Sequence, residues 1–158
     1  MASPAPKDDR GFYILPQGYG GGGYYVYGTP RQGAAQYAHP LMISVILSVA
    51  GRWTHQDWRK FGVGNLSLAN GVKFGGHDSH RSGLEVDVRP IRKDGKNEPC
   101  RWGDQQYDFE ATKRLITLFM LSGRVDKIYF NDLSIPGVWH LGGHDNHFHV
   151  EILNLEIK

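Results

Sequence analysis

Six of the eight histidines in the chain fall in two short windows that also contain carboxylates. The first window is "GGHDSHRSGLEVDV" (residues 75–88), and the second is "WHLGGHDNHFHV" (residues 139–150). Imidazole and carboxylate groups bind divalent metal ions, and imidazole also takes up and returns protons near neutral pH. A single buried histidine is most often a packed core residue. Two such clusters beside strand-like segments instead predict a metal or proton-transfer site.

The second window contains two histidines at alternate positions, His147 and His149. On a β-strand, alternate side chains lie on the same face with their Cβ atoms about 6.5–7 Å apart. Phe148, between them, then points into the core and anchors the strand. Two imidazoles at this separation can serve one centre, because one binds an ion and the other faces the ligand that the ion activates.

The first window supplies a further histidine and an aspartate, His80 and Asp87, separated by a Ser82-Gly83 pair that permits a turn. The histidine can lie on the loop that enters a strand, and the aspartate on the exposed face of that strand. Two histidines and one aspartate leave the fourth position of a tetrahedral ion open, which is typical of catalytic zinc. Nitrogen and oxygen ligands also admit other divalent ions, but we predict zinc.

The chain has one cysteine, Cys100, in the polar stretch "NEPCRWGD". A single cysteine excludes an internal disulfide and any metal site that needs a pair of thiolates. The polar surroundings predict a turn, and we therefore expect Cys100 to be dispensable for activity.

The motif "HRSGLEVD" followed by "HFH" resembles the H-x6-D and H-x-H signature of the LAS metallopeptidases, named for lysostaphin, D-Ala-D-Ala peptidases and sonic hedgehog. The sequence is more similar still to the penicillin-insensitive murein endopeptidases. This resemblance extends over "YGTP", "GVGNLSLANGVKFGGHDSHRSGLEVDV" and "GGHDNHFHV", or roughly from residue 11 to the C-terminus. The flanking "SH-x-x-GL-x-VDV" and "GHD-x-HFHV" patterns make it specific.

The resemblance implies that zinc is held by His80, Asp87 and His149. It also implies that His147 lies beside the metal-bound water and acts as the base. In related D-Ala-D-Ala peptidases a glutamate two residues before the last ligand has this role. An imidazole suits the role as well, since it titrates near neutral pH.

Two further histidines, His77 and His144, match histidines of that family's site and are expected near the metal without necessarily binding it. The chain departs from the family at Arg81, which stands where a glutamine is expected. Arg81 either grips a substrate carboxylate or is simply solvated. The chain also lacks the disulfides of the periplasmic relatives, which favours a phage lysin or a secreted antibacterial effector, with an export apparatus or immunity protein as partner.

The composition is that of one globular domain: 158 residues, of which 40% are hydrophobic and 22% charged. The net charge of +2, without clusters of Lys or Arg, argues against nucleic acid as a partner. No apolar run is long enough for membrane insertion, and no signal peptide is visible. We expect a disordered tail over residues 1–10, a zinc peptidase domain over residues 11–158, and a monomer.

The hydrophobic patterns predict an α+β fold. "LMISVILSVAG" and "DFEATKRLITLFMLSG" are typical of helices, whereas "LEVDVRP", "VDKIYF" and "NHFHVEIL" are typical of strands. Asn70-Gly71 predicts a hairpin turn. The Gly/Tyr-rich segment 18–27 is either a flexible loop or an extended wall of a groove. Together these elements predict a single domain with a mostly antiparallel sheet and flanking helices. The resemblance implies that this is the LAS/hedgehog-like peptidase fold.

The sequence therefore predicts a zinc-dependent peptidase that acts on peptidoglycan stem peptides at the cell wall, in the periplasm or outside the cell. The resemblance to the murein endopeptidases implies the cross-link between D-alanine and diaminopimelate as the target. The alternatives are an L-Ala-D-Glu or D-Ala-D-Ala peptidase, and a non-catalytic zinc-containing module of the same fold. A closed structural zinc site that uses His144 or His77 as a fourth ligand is a further alternative. The presence of His147 favours an enzyme.

Overall fold

The computed structural model describes residues 3–18, 20–75 and 78–154. The helices are α1 (Pro40–Thr54) and α2 (Phe109–Leu121). The strands are β1 (Tyr13–Ile14), β2 (Tyr24–Val26), β3 (Tyr37–Ala38), β4 (Phe61–Val63), β5 (Glu85–Val88), β6 (Val125–Tyr129) and β7 (Phe148–Ile152). Among the described residues, neither helix is long and apolar enough to cross a membrane.

Both helices begin at residues that satisfy their first backbone N–H groups. Pro40 opens α1, where its missing N–H costs nothing, and the His39 Nδ1 accepts a hydrogen bond from the backbone N–H of Leu41 at 3.1 Å. At the start of α2, the Asp108 carboxylate accepts a hydrogen bond from Ala111 N–H at 3.0 Å. His39 is therefore a helix cap.

Five of the strands form one sheet in the order β2-β4-β5-β7-β6. The pairs β4–β5, β5–β7 and β6–β7 are antiparallel, and the edge pair β2–β4 is parallel. Strands β1 and β3 form a separate antiparallel pair. The sheet and the two helices confirm the predicted α+β fold with a mostly antiparallel sheet.

The two faces of the sheet differ in character because side chains alternate along β5 and β7. The side chains that enter the hydrophobic core are Val86, Val88, Phe148, Val150 and Ile152. Helix α2 packs against this face through Phe119, whose ring centroid lies 5.9 Å from that of Phe148. The opposite face carries the polar residues of the same strands. Packing of the core face holds these polar side chains in position, where they can form a site.

Residues 8–10, which belong to the segment expected to be a disordered tail, contact the loop at residues 67–70. Asp8 is buried and accepts a hydrogen bond from the backbone N–H of Asn70 at 2.8 Å. Arg10 donates hydrogen bonds to the Ser67 hydroxyl at 2.8 Å and to the Leu68 carbonyl at 3.0 Å. This part of the segment therefore packs against the domain.

These contacts also explain why the hairpin predicted at Asn70-Gly71 was wrong. The turn itself is present, with positive φ at both residues, but it belongs to a single 3₁₀ turn over Ala69–Gly71. The Leu68 carbonyl, before the turn, accepts a hydrogen bond from Arg10, and the Asn70 N–H, within it, donates one to Asp8. The segments that flank the turn are not paired as strands.

The surroundings of Cys100 also differ from the expected polar turn. The side chain is buried, with 1% of its surface exposed, and belongs to the hydrophobic core. Burial raises the pKa of the Cys100 thiol. Cys100 is therefore a packed core residue rather than a surface one.

Candidate active site

The register of β5 and β7 brings the two halves of the predicted site together. Asp87 and His149 are direct partners across the antiparallel pair, with His149 Nδ1 2.9 Å from Asp87 Oδ1. On the other side of the carboxylate, His80 Nε2 lies 3.1 Å from Asp87 Oδ2. One carboxylate thus joins two imidazoles from distant parts of the chain, whose ring centroids are 4.9 Å apart.

The loop that carries His80 has an unusual backbone conformation. His80 has a φ of 60°, a left-handed conformation that is strained for a residue with a side chain. Its backbone N–H donates a hydrogen bond to Glu85 Oε2 at 2.7 Å. Gly83, with a φ of 71°, completes the turn, and a Cβ there would meet Phe12 and the His39 backbone at 2.9 Å. The predicted turn is present and requires glycine.

Each imidazole of the pair directs one nitrogen to Asp87 and the other to an oxygen acceptor. His80 Nδ1 lies 3.2 Å from the Leu66 carbonyl oxygen. His149 Nε2 lies 3.4 Å from Glu85 Oε1 and 3.5 Å from Glu151 Oε1. Histidine ligands in metal sites are held in this way, because the second nitrogen donates its proton to a carbonyl or carboxylate and leaves the first free for the ion.

The donor set therefore fits a divalent metal ion. One ligand atom from each of His80, Asp87 and His149 lies within 4.8 Å of the others. Two imidazole nitrogens and one carboxylate oxygen suit zinc and other borderline divalent ions. Within the described part of the chain, neither His144 nor His147 joins such a group, whereas Glu85, His149 and Glu151 form a second, overlapping one.

Asp87 interacts strongly with the two histidines that contact it. Burial alone would raise its pKa, but hydrogen bonds and charge from His149 and His80 outweigh burial and hold the pKa well below its ordinary value. Burial alone would lower the pKa of His149, yet Asp87 and Glu85 raise it to about 9. Without a metal ion, the His149 ring is therefore protonated on both nitrogens at neutral pH. A metal ion must displace one of these two protons to bind.

His147 lies beside this cluster, immediately before β7. Its Nε2 is 3.6 Å from Asp87 Oδ1, and its Nδ1 is 2.8 Å from Asn146 Oδ1. Burial lowers the pKa of His147; the Asp87 charge opposes this shift, and the neighbouring histidines add to it. When Nδ1 donates its proton to Asn146, Nε2 carries a free lone pair. A neutral imidazole of this kind is a suitable proton acceptor.

The cluster forms the floor of an open pocket of about 300 Å³. The pocket walls include Phe74, Tyr129, Leu141 and His144, and the floor includes His80, Asp87, His147, His149 and Glu151. His144 lies close to both histidines of β7, with ring centroids 4.8 Å from His147 and 5.7 Å from His149.

The sequence-predicted residues separate into three groups. The structure brings His80, Asp87, His144, His147 and His149 to one pocket. His77 lies outside the described residues. Arg81 is not among the residues that line the pocket, and its Nε donates a hydrogen bond to the Gly71 carbonyl at 3.0 Å.

Sequence reasoning missed three residues around the site. Glu85 and Glu151 hold the His149 ring, and their alternation with core residues on the same strands was a signal that could have found them. Tyr129 reaches the pocket because it is the register partner of His149 on β6. That position depends on strand pairing, which no local pattern reveals.

Three ligand-type side chains, a neighbouring neutral imidazole and an open pocket are typical of a metal-dependent hydrolase. The sequence profile of the penicillin-insensitive murein endopeptidases matches residues 15–117, which is more than half of the chain. The chain therefore belongs to this peptidase family. The match includes His80 and Asp87 and ends before β6 and β7. No protein with a curated description matches the chain.

Proposed function

We propose that this protein is a zinc-dependent murein endopeptidase that degrades the bacterial cell wall by hydrolysing stem-peptide cross-links, with the D-alanyl–diaminopimelate bond as target. The observation that carries the proposal is the position of His147 Nε2, 3.6 Å from the Asp87 carboxylate that joins both candidate imidazole ligands. An imidazole that can act as a base therefore lies next to the group of candidate metal ligands, in a chain of the murein endopeptidase family.

The residues that would hold zinc are His80, Asp87 and His149. Bound zinc supplies a Lewis acid that polarises the scissile carbonyl and lowers the pKa of water toward about 7. The Leu66 carbonyl and the Glu85 carboxylate keep the two rings oriented by accepting hydrogen bonds from their second nitrogens, and the Glu151 carboxylate lies close to His149 Nε2 at 3.5 Å. Both rings are buried, so the cluster excludes most water from the side that faces the core.

In this proposal His147 transfers the proton. Its Nε2 removes a proton from the attacking water and then returns it to the nitrogen of the leaving amine. The Asn146 side-chain oxygen holds the ring in position by accepting a hydrogen bond from Nδ1. The lowered pKa of His147 keeps the base unprotonated near neutral pH, as general-base catalysis requires.

The oxyanion that develops on the scissile carbonyl needs a positive partner or a hydrogen-bond donor. His144 lines the same pocket, and we assign it this role together with His77. The pocket is open to solvent, as a polymeric substrate requires. Peptidoglycan as substrate places the activity at the cell wall, in the periplasm or outside the cell.

Digestion of purified peptidoglycan and of defined disaccharide-peptide dimers tests the proposal, because the product masses give both the activity and the bond. Cleavage between D-alanine and diaminopimelate is expected, with loss of activity after chelation and recovery with added zinc. Cleavage at L-Ala-D-Glu or D-Ala-D-Ala would keep the peptidase but change the bond. A folded, zinc-loaded protein that binds peptidoglycan without cutting it would instead be a non-catalytic module.

A further inference from the structure

A second pocket, of about 260 Å³, adjoins the candidate active site. It shares Asp87 and His147 with the first pocket, and its other walls are Tyr27, Arg89, Pro99 and Asn146. The two pockets therefore meet at the residue assigned as the base. A substrate that extends past His147 enters this second pocket.

Beside the second pocket, two tyrosine rings pack on the two glycines of "GVG" (62–64). The Tyr25 ring lies against Gly62, where a Cβ would meet the ring at 2.8 Å. The Tyr27 ring lies against Gly64 in the same way, and a Cβ there would meet the ring at 2.5 Å. Only glycine lets these rings lie on the strand backbone. The tyrosines belong to the Gly/Tyr-rich segment, whose β2 strand pairs with β4.

Arg89 lies on this aromatic layer. Its guanidinium carbon is 3.8 Å from the centre of the Tyr27 ring and 6.0 Å from that of Tyr25, and its backbone N–H donates to the Gly62 carbonyl at 2.9 Å. It hydrogen-bonds the Tyr25 side chain, a neutral partner because burial raises the pKa of that tyrosine. None of the ion pairs between described residues includes Arg89. A guanidinium has five N–H donors, so one that stacks on a ring and makes one hydrogen bond still has donors for an anion.

The position of Arg89 relative to the reaction follows from the strand period. Asp87 lies in β5 and Arg89 immediately follows that strand, and both side chains line the second pocket. Alternate residues of an extended segment have Cβ atoms about 6.5–7 Å apart. Asn146 adds a second donor to the pocket, because its Oδ1 is occupied by His147 and its amide nitrogen remains. The Asp87 carboxylate is already bound by two histidines. The pocket therefore presents donors for an anion close to the scissile bond.

We propose that Arg89 binds a free carboxylate on the carbon that bears the leaving amine, and that this contact selects stem peptides as substrates. The inference rests on the proposed function. All three candidate bonds share this feature, because diaminopimelate, D-glutamate linked through its side chain, and terminal D-alanine each carry a free carboxylate next to the amide nitrogen. In an ordinary protein chain that carboxyl group is part of the next peptide bond, so such chains lack the anion that Arg89 binds.

Two synthetic substrates that differ only at this carboxylate, free in one and amidated in the other, test the inference. The wild-type protein should prefer the free carboxylate by about 10- to 100-fold in kcat/KM, the range for a hydrogen bond to a charged group. Arg89→Gln should lose this preference, because its kcat/KM for the free carboxylate falls towards its kcat/KM for the amidated substrate. Arg89→Lys should retain part of it, because the charge remains without the planar fork.

Arg52→Gln is the matched control, since Arg52 is an exposed arginine in the last turn of α1, a helix of the opposite layer. It removes the same charge and should keep the full preference. The ratio between the two substrates is independent of the fraction of folded protein, so partial misfolding of a variant does not affect it. Calorimetry with the released amine fragment, free or amidated, should show the same ratio in Kd.

Three outcomes are distinguishable. A wild-type protein that cleaves both substrates equally overturns the role of Arg89 and leaves the peptidase intact. An Arg89→Gln variant that keeps the preference also overturns it and points to another donor. A wild-type protein that cleaves neither substrate contradicts the proposed function itself, and with it this inference.

Discussion

Glu85 accepts a hydrogen bond from the backbone N–H of His80 at 2.7 Å, and its second carboxylate oxygen lies 3.4 Å from His149 Nε2. One side chain therefore contacts both candidate imidazole ligands. It holds the left-handed backbone at His80 and the ring orientation at His149. Hydrogen bonds to the His149 side chain lower the pKa of Glu85, burial opposes this, and the His80 contact lowers it further, so Glu85 stays ionised near neutral pH.

Glu85→Gln should weaken zinc binding by about 10- to 100-fold, the usual cost of losing a carboxylate behind a histidine ligand. The amide keeps an oxygen for His80 but loses the charge that stabilises the His149 ring. Competition with a chromophoric chelator measures the affinity directly, without any activity assay. Glu151→Gln is the matched control and should cost less, because Glu151 contacts His149 but not His80. A larger loss in Glu151→Gln would contradict this ranking.

His147→Ala should remove most turnover and leave zinc content nearly unchanged. Loss of a general base typically costs about 10²–10⁴-fold, and the loss should fall mainly on kcat. His149→Ala should instead lose both metal and activity, because it removes a ligand. The two residues are two positions apart, His147 immediately before β7 and His149 within it, so the pair controls for local disruption of the strand.

Metal analysis and steady-state kinetics on both variants separate the alternatives. Near-normal cleavage by His147→Ala would place the base elsewhere, and His144 would be the first candidate because its ring is 4.8 Å from that of His147. Loss of zinc as complete as in His149→Ala would make His147 a ligand, and the closed structural site would then be preferred.

The alternation of "LEVDVRP" and "NHFHVEIL" was sufficient to predict β5, β7 and the face on which Asp87 and His149 lie, because one buried face specifies the register. The apolar patterns of residues 41–51 and 108–123 were likewise sufficient to predict both helices. Local patterns could not predict the parallel pairing of β2 with β4, which depends on the glycines beneath Tyr25 and Tyr27. The hairpin at Asn70-Gly71 failed for a related reason, since distant residues bind its backbone.

Cys100→Ser should lower stability while leaving zinc content unchanged. The sequence alone suggested that the residue is dispensable, but its side chain is buried in the core. A hydroxyl placed there without a good partner costs roughly 1–3 kcal/mol. Urea unfolding of the zinc-loaded protein measures the change in the free energy of unfolding, and Cys100→Ala serves as the apolar control. Loss of bound metal in either variant would show that the ligand set has been misassigned.

The ion-pair network of Asp57 and Arg59 gives a prediction about stability at acid pH. Asp57 Oδ2 lies 2.8 Å from Arg59 Nη2 and 3.2 Å from Arg114 Nη2, and both the Asp57 and Arg59 side chains are largely buried. Burial would raise the pKa of Asp57, but the hydrogen bonds and charge of Arg59, with Arg114, lower it to about 2. Because the folded-state pKa lies below the ordinary value of 3.8, the stabilisation is complete above about pH 4 and is lost as the pH falls towards 2.

Asp57→Asn should therefore lower the free energy of unfolding at pH 7 by about 2 kcal/mol, the scale of a hydrogen bond to a charged group, because the largely buried Arg59 loses one of its two carboxylate partners and keeps Asp108. Between pH 4 and pH 2 the wild-type protein should lose stability more steeply than the variant, so their unfolding free energies should converge. Urea unfolding at several pH values measures both curves, and metal release affects the two proteins equally. Asp126→Asn, an exposed site on β6, should follow the wild-type curve. Parallel curves for the wild-type protein and Asp57→Asn across this range would mean that Asp57 is not the group whose protonation destabilises the fold.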